Sequence, residues 1–358
     1  MQILRVSPLT LGVLITSLCL TATSGCGPGV KEPAIDLDSQ TSPMATDFSS
    51  ETDVEARYPT QILPFYMSGK AGTFAGQTGV SINYRVFTVP NEVGAIVLLP
   101  GRTEPILKFA ETIQDLTRQG FSVYAMDHRG QGASGRMLSN PEIGYVEFFK
   151  DYISDVDTFV QTIVRATLHP HLFLLAHSMG GGISGMYLYE HPDVFEAVAL
   201  SSPMFQINTA PFPAGLAADL SLTDCGFSNG QSYAIGQADF DPAQKFTDAG
   251  NDVTRSQARY NVKMQMFADN PTQRLGGVSY HWLCESLTAT SHVQTVGGAS
   301  TTPTLIFKAG NDDIVVTSAA DAYCHAASQC QIVTYADAYH EVLSERDPPN
   351  TNAMNCFL

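Results

Sequence analysis

Short, uninterrupted apolar runs recur along this chain, and stretches with helical periodicity separate them. The runs are AIVLLPG (95–101), FSVYAMD (121–127), LFLLA (172–176), AVALSS (197–202), TLIFKAG (304–310) and QIVTY (331–335). Between them, apolar residues repeat every three or four positions, as at Ile106, Phe109, Ile113 and Leu116. Strands that are apolar on both faces belong to parallel sheets covered by helices. The pattern therefore predicts an α/β fold with a mainly parallel sheet and helices on both faces.

The alternation weakens between residues 203 and 298, where Asp, Gly, Asn and aromatic residues are frequent. This insert follows the end of a strand, the edge of an open α/β sheet at which ligands bind. Long inserts in compact domains usually serve function, so we expect a helical cap over a site. An insertion without function is the alternative. The core then comprises residues 56–202 and 299–358.

The N-terminus, MQILRVSPLTLGVLITSLCLTATSGC, has the features of an export signal. A single cation, Arg5, precedes an apolar stretch that is too short to span a bilayer. The TSGC ending resembles a bacterial lipobox, although Thr23 stands where an aliphatic residue is usual. We expect residues 1–25 to be removed and Cys26 to carry lipid. An ordinary secretory signal is the alternative.

Residues 26–55 are polar and acidic, which predicts a flexible tether between the anchor and the core. The expected location is the bacterial cell envelope, on the periplasmic side or the surface, with the lipid anchor providing the contact with the membrane. The formal net charge of -16 argues against nucleic acid as a partner, because that binding needs a cationic surface. The sequence leaves the oligomeric state open.

Cysteine usage agrees with export. Cys324 and Cys330 are close enough in sequence to close a small loop, and Cys225 and Cys284 could staple the insert. Both pairings stay open, because connectivity cannot be deduced from a sequence. No zinc-type spacing of Cys and His occurs, so we expect no metal site.

The segment LLAHSMGGG (174–182) places a serine directly after a predicted buried strand. A strand followed by small-x-Ser-x-Gly and a helix is the nucleophile elbow, in which a tight turn exposes the hydroxyl at the strand end. The small flanks here are Ala176 and Gly180, which predicts Ser178 as a nucleophile. A serine in an ordinary turn is the alternative.

A serine nucleophile needs a base and an acid that orients the base. Asp312 follows the predicted strand TLIFKAG, and His340 follows the last predicted strand. The order Ser178, Asp312, His340 is the one expected for a nucleophile elbow. Asp313 is an adjacent rival for the acid, and a surface or capping role is the alternative for His340.

The oxyanion formed by attack on an ester needs backbone N–H donors. The expected donors are Met179, directly after the nucleophile, and Arg102, in the loop after AIVLLPG. Only the backbone of Arg102 has this role, so its side chain is free for another. His177 is expected to support the elbow rather than to react.

The segment GQGASG (130–135) fits a dinucleotide-binding fingerprint, but RMLSNPEIGY follows where a helix should begin. We therefore expect no nucleotide cofactor, and the predicted chemistry needs no cofactor of any kind.

These motifs together resemble bacterial lysophospholipases of the monoglyceride-lipase-like group, which are α/β hydrolases of the serine aminopeptidase S33 type. The resemblance covers about residues 60–347 and rests on PGRTE, DHRGQGASGR, AHSMGG, HWLCESL, GNDDIVV and YHEVLSERD. It implies Ser178 as nucleophile, Asp312 as acid, His340 as base and a cap that shapes an acyl-chain tunnel. It also implies that Asp127 and Arg129 hold loops near the site by salt bridges.

The expected function is serine hydrolysis of the acyl ester of a single-chain lipid, converting a lysophospholipid into fatty acid and a glycerophospho-compound. Monoacylglycerol lipase and general carboxylesterase are alternatives, because these substrates differ in the head group rather than in the ester. An inactive, lipid-binding lipoprotein of the same fold is a further alternative, since a fold does not prove a function.

Overall fold

The computed structural model describes residues 48–211, 230–247 and 251–357. Within these residues one sheet has eight strands in the order β1-β2-β4-β3-β5-β6-β7-β8. The strands are β1 (Lys70–Ala75), β2 (Ser81–Phe87), β3 (Gly94–Leu99), β4 (Phe121–Met126), β5 (Leu172–His177), β6 (Ala197–Ser201), β7 (Thr304–Ala309) and β8 (Cys330–Tyr335). The predicted signal peptide and Cys26 lie outside the described residues.

Strands β3 to β8 pair in parallel, and β1 and β2 add an antiparallel edge. Every apolar run identified in the sequence is one of the parallel strands, so the predicted α/β fold is confirmed. Strand β2 is buried at Ile82 and Val86, which belong to the apolar cluster of one face, and at Phe87, which belongs to the other. Strand β1 was not predicted, because its sequence KAGTFA is short and mostly exposed and contains no apolar run.

Helices cover both faces of the sheet. They are α1 (Val54–Arg57), α2 (Leu63–Ser68), α3 (Ala110–Arg118), α4 (Lys150–Phe159), α5 (Met179–Glu190), α6 (Gln257–Asp269), α7 (Tyr280–Val296), α8 (Ser318–Ala326) and α9 (Pro349–Phe357). π-Helical turns at Tyr58–Ile62 and Val160–Val164 extend α1 and α4. Short 3₁₀ helices lie at Gln77–Gly79, Ile106–Phe109, Pro271–Gln273, Gly297–Ala299 and Val342–Ser344.

Alternate residues of the central strand β3 belong to two separate apolar clusters. Val97 and Leu99 pack with α4, α5, α7 and α8, whereas Ile96 and Leu98 pack with α1, α3 and α9. Successive side chains of a strand point to opposite faces, so each cluster occupies one face of the sheet. A strand buried on both faces must be apolar throughout, which explains the uninterrupted runs in the sequence.

The predicted tether ends earlier than residue 55. Ser49 is buried, and both its backbone N–H and its hydroxyl donate to the Asp115 carboxylate, at 3.0 and 2.8 Å. Ser50 Oγ donates to Asp347 at 2.8 Å, and Val54 lies in the apolar cluster that contains α3. Polar composition indicated a tether, but the polar side chains of this segment hydrogen-bond to the core.

The insert between β6 and β7 does not form one separate layer. Helix α7 contributes Trp282, Ala289 and Val293 to the same apolar cluster as helix α5. Helix α6 contributes Met266 and Phe267 to the cluster on the opposite face. The predicted cap boundary at residue 298 is therefore too late, because α7 packs as a core helix.

The Cys324–Cys330 disulfide is present and joins the end of α8 to the start of β8. Cys284 is also disulfide-bonded. Its predicted partner, Cys225, lies outside the described residues. A search of the described helices finds none with the length and apolar character needed to span a bilayer.

We expect a chain of residues 48–358 to be more stable than a chain of residues 56–358. The shorter chain loses the burial of Val54 and the hydrogen bonds of Ser49, which together stabilise the fold by on the order of 2–4 kcal/mol. Urea unfolding of both chains measures the difference. Ser49→Ala in the longer chain removes the hydroxyl bond to Asp115 and keeps the N–H bond, so it isolates the contribution of the hydroxyl. Equal unfolding free energies would contradict the packing of residues 48–55 on the core.

Candidate active site

Ser178 occupies a strained turn between strand β5 and helix α5. Its φ of 50° and ψ of -115° lie outside the regions that residues with a Cβ ordinarily adopt. The Ser178 N–H donates to Ser201 O at 2.9 Å, and its carbonyl accepts from Gly182 and Met204 N–H at 3.0 and 2.8 Å. These bonds to β6 and α5 hold the strained residue, as a nucleophile elbow requires.

The flanking residues are small because backbone lies against them. A Cβ placed on Gly180 would lie 2.4 Å from Leu99 O and 2.6 Å from Pro100 O. Ala176 is buried opposite Leu99 in the pairing of β5 with β3. The start of α5 therefore packs directly on the end of β3, which brings the loop after β3 next to Ser178.

His340 hydrogen-bonds to both other members of the predicted triad. Its Nε2 is 2.8 Å from Ser178 Oγ, and its Nδ1 is 2.7 Å from Asp312 Oδ2. The charged Asp312 can only accept, so Nδ1–H donates to it and leaves the Nε2 lone pair to accept from the serine hydroxyl. This tautomer can take the proton of Ser178 when the serine attacks a carbonyl.

Asp312 is the residue that contacts His340, whereas the rival Asp313 is exposed. Asp312 Oδ1 also accepts from the N–H groups of Ile314 and Val315, at 2.9 and 3.0 Å. Burial raises the pKa of Asp312, but the hydrogen bond from His340, its positive charge when protonated, and the two N–H donors together hold that pKa below its ordinary value. The carboxylate is therefore ionised and stabilises an imidazolium.

The loop after β3 lies close enough to Ser178 to form the predicted oxyanion site. A Cβ on Gly101 would lie 3.0 Å from Ser178 Cβ, and Arg102 follows directly. Met179 is the first residue of α5, where helix N–H groups lack partners within the helix. The assignment of the Arg102 and Met179 N–H groups to the oxyanion stays a prediction.

His177 lies beside the triad but does not contact Ser178 Oγ. Its Nδ1–H donates to Ser201 O at 3.1 Å, and its ring centroid is 4.9 Å from that of His340. Burial lowers the pKa of His177 to about 4, so its ring is neutral at pH 7. A neutral ring packed against His340 fits the predicted supporting role.

The segment GQGASG forms a turn-rich loop after β4 rather than the start of a helix. Arg129 pairs with Asp155 at 2.7 Å and with Asp151 at 3.0 Å, as the resemblance implied. Asp127 differs from that expectation. It accepts hydrogen bonds from the N–H groups of Ile106 and Ala133, and no salt bridge to it is present among the described residues.

A buried network of charged side chains next to the predicted triad was not predicted from the sequence. Glu104 Oε2 accepts from Gly101 N–H at 2.7 Å, and its other oxygen contacts Lys108. Lys108 Nζ also lies 2.8 Å from Glu341 Oε2, and Glu341 directly follows His340. Lys108 thus connects the loop that carries Arg102 to the loop that carries His340. In the sequence, Glu104 and Lys108 lie four positions apart and Glu341 directly follows His340. No local pattern indicates that these two pairs of residues meet in the fold.

The carboxylates and the lysine of this network keep one another ionised by pairing. Burial alone would raise the pKa of Glu104 and Glu341, but Lys108, joined at Glu341 by Lys263, reverses the effect and holds both pKa values below their ordinary range. Burial would likewise lower the pKa of Lys108, which the two carboxylates raise instead. Lys263 adds a second cation, 3.4 Å from Glu341.

The described ranges contain no group of three or more His, Cys, Asp or Glu side chains that could hold a metal ion.

Comparison with known proteins shows the family to which this chain belongs. The family model described as "Serine aminopeptidase, S33" matches residues 90–347. "Lysophospholipase L2" of Escherichia coli is 34% identical over 306 residues, which cover 83% of this chain and 88% of the relative. This chain belongs to the serine aminopeptidase S33 family of α/β hydrolases.

Two further comparisons bear on the ester-hydrolase class and the fold. The "Monoacylglycerol lipase" of Mycolicibacterium smegmatis is 35% identical over 134 residues, which cover 37% of this chain and 45% of the relative. A soluble variant of monoglyceride lipase from Saccharomyces cerevisiae, solved with a substrate analog, has a TM-score of 0.65 at 16% identity, covering 84% of this chain and 97% of that one. The family and its relatives make this chain a carboxylic ester hydrolase.

We expect Lys108→Met to lower the free energy of unfolding by about 3–5 kcal/mol, because it leaves the buried Glu104 carboxylate without its lysine partner and Glu341 with Lys263 alone. Without Lys108, burial raises the pKa of these carboxylates in the folded state. The variant's stability should therefore fall as pH rises from 5 to 8, beyond any change in the parent chain. Urea unfolding across this pH range measures both effects.

A double variant is the control for this prediction. Adding Glu104→Gln to Lys108→Met removes one of the stranded charges, so it should recover part of the stability at pH 8. A Lys108→Met chain as stable as the parent at every pH would show that the network does not hold the two loops.

Proposed function

We propose that this enzyme is a lysophospholipase in which Ser178, His340 and Asp312 act as a catalytic triad. The observation that carries the proposal is the hydrogen-bonded chain from Asp312 Oδ2 through His340 to Ser178 Oγ, with donor–acceptor distances of 2.7 and 2.8 Å. The substrate class is supported by a relative, 34% identical over most of both chains, that is named lysophospholipase L2.

The reaction starts when Ser178 Oγ attacks the acyl carbonyl of the lipid and His340 Nε2 takes the serine proton. The Met179 and Arg102 N–H groups donate to the oxyanion of the tetrahedral intermediate. His340 then gives the proton to the glycerol oxygen as the ester bond breaks, which leaves the acyl group on Ser178. A water, deprotonated by His340, hydrolyses the acyl-enzyme and releases the fatty acid.

Asp312 keeps the imidazole in the tautomer that this sequence requires. Because its carboxylate accepts from Nδ1–H, the Nε2 lone pair always faces the serine hydroxyl. The same carboxylate stabilises the imidazolium between the two proton transfers. No step needs a cofactor.

Monoacylglycerol lipase activity is the second candidate. The relative from Mycolicibacterium smegmatis that bears this name matches part of this chain at 35% identity. Both substrates present one acyl ester to the serine, and they differ in the group attached to the glycerol.

We also propose that the enzyme is an exported lipoprotein of the bacterial cell envelope. The support is the apolar N-terminal stretch that ends in TSGC, with Cys26 as the lipidated residue. Ser49 is bonded to Asp115 of the core, so the segment between Cys26 and Ser49 would connect the anchor to the enzyme.

Fatty-acid release by residues 48–358 tests the substrate class. Lysophosphatidylcholine, lysophosphatidylethanolamine and monoacylglycerol with the same acyl chain are compared, with Ser178→Ala as the control. We expect release from the lysophospholipids that the variant abolishes. Release from monoacylglycerol alone would overturn the substrate class and retain the triad. No release from any of them by a folded protein would overturn the lysophospholipase proposal.

Asp312→Asn should lower kcat by up to about 10⁴-fold, because an amide can donate to Nδ1 and favour the wrong tautomer. Asp313→Asn is a matched control, since it makes the same change at an adjacent, exposed carboxylate. We expect the control to keep kcat near that of the parent. Equal losses in the two variants would contradict the assignment of Asp312, and steady-state kinetics on the best ester substrate measures both.

A further inference from the structure

Arg102 carries a guanidinium that has no anionic partner among the described residues. Its Nη1 donates to Gly276 O at 2.9 Å, and its guanidinium carbon lies 5.5 Å from the centroid of the Trp282 ring. Two more deeply buried guanidinium groups are each paired with two carboxylates. Arg129 contacts Asp151 and Asp155, and Arg259 contacts Glu111 and Asp347.

The Arg102 side chain lies between the catalytic core and the insert. In the chain, Arg102 directly follows Gly101, which lies against Ser178. The Arg102 guanidinium contacts the insert at Gly276 and Trp282. A Cβ on Gly144 would lie 3.1 Å from Arg102 Nη1, so the loop after β4 forms a third side of the position. The Arg102 backbone is thus next to Gly101, which adjoins Ser178, and the Arg102 guanidinium contacts the insert.

An unpaired cation in such a place is unfavourable without a ligand. Burial lowers the pKa of Arg102 to about 10, and the tyrosines Tyr152 and Tyr233 offset this only in part. The side chain therefore stays protonated at neutral pH. Nη1 has one carbonyl partner, and a guanidinium has five N–H groups arranged in a planar fork that matches a phosphate.

We propose that the Arg102 side chain binds the phosphate of a lysophospholipid while the acyl ester lies at Ser178. This inference rests on the proposed lysophospholipase function, and it assigns the side chain that recognises the head group of the lysophospholipid. In a lysophospholipid the phosphate is attached to the same short glycerol unit as the ester, so one residue beside the nucleophile can contact both. Monoacylglycerol has no anion at this position. Arg102 thereby favours the lysophospholipid.

Arg102→Gln tests the proposal, because it removes the charge and keeps the backbone N–H expected at the oxyanion. We expect kcat/KM for lysophosphatidylcholine to fall about tenfold or more, the size of effect typical of a lost charge-assisted hydrogen bond. For monoacylglycerol with the same acyl chain, which has no phosphate, kcat/KM should fall by less, so that the ratio of the two kcat/KM values drops about tenfold.

Arg136→Gln is the matched control. Arg136 also connects the core to the insert, through hydrogen bonds from its Nη2 to the carbonyls of Thr272 and Arg274, at 3.1 and 3.4 Å. The Arg136→Gln variant thus removes the same charge and a comparable contact with the insert. We expect it to change kcat/KM for both substrates by the same factor. If Arg102→Gln lowers activity on both substrates equally, or on neither, its guanidinium is a structural contact and the proposal is wrong.

A binding measurement separates this proposal from the substrate class itself. Glycerophosphocholine, the product that carries the phosphate, is titrated into Ser178→Ala and into Ser178→Ala with Arg102→Gln by calorimetry. Binding that the second change weakens about tenfold or more would support the phosphate site even if the parent hydrolyses no lysophospholipid. Absent binding, or binding equal in the two variants, would overturn it.

Discussion

The close packing of helix α5 on the end of strand β3 is the contact on which the site depends. Gly180 lies so near Leu99 O and Pro100 O that a Cβ there would overlap backbone. This contact fixes where α5 begins, and so fixes the strained conformation of Ser178 at its start. It also places the loop after β3, with Gly101 and Arg102, beside Ser178. The hydroxyl and the predicted oxyanion donors therefore share one rigid support.

The other half of the site is held by charge rather than by close packing. Asp312 and His340 follow strands β7 and β8. Strand β7 pairs with β6 and β8 pairs with β7, which sets the distance of these residues from Ser178. Beneath them, Lys108 connects Glu104 on the β3 loop to Glu341 beside His340. A buried network of this kind is a specific link between two loops, since breaking one partner strands the others. Arg102 lies next to the site without an ion pair among the described residues, and its guanidinium donates to Gly276 O.

The parts of the protein that local sequence determines could be predicted. The parallel strands are continuous apolar runs, and Ser178, Asp312 and His340 each follow such a run in the expected order. The missed features depend on distant partners. Ser49 lies in a polar segment, but Asp115 binds it. Glu341 pairs with Lys108 across most of the chain, and α7 packs on α5 although the composition around it indicated a cap.

The central claim is that His340 activates Ser178 as a nucleophile. Its most direct test is labelling with a fluorophosphonate, followed by peptide mass mapping, in the parent chain and in His340→Ala. The account predicts one label per chain, on Ser178, and little or none in the folded variant. Labelling of another residue, or an equal rate of labelling without His340, would contradict it.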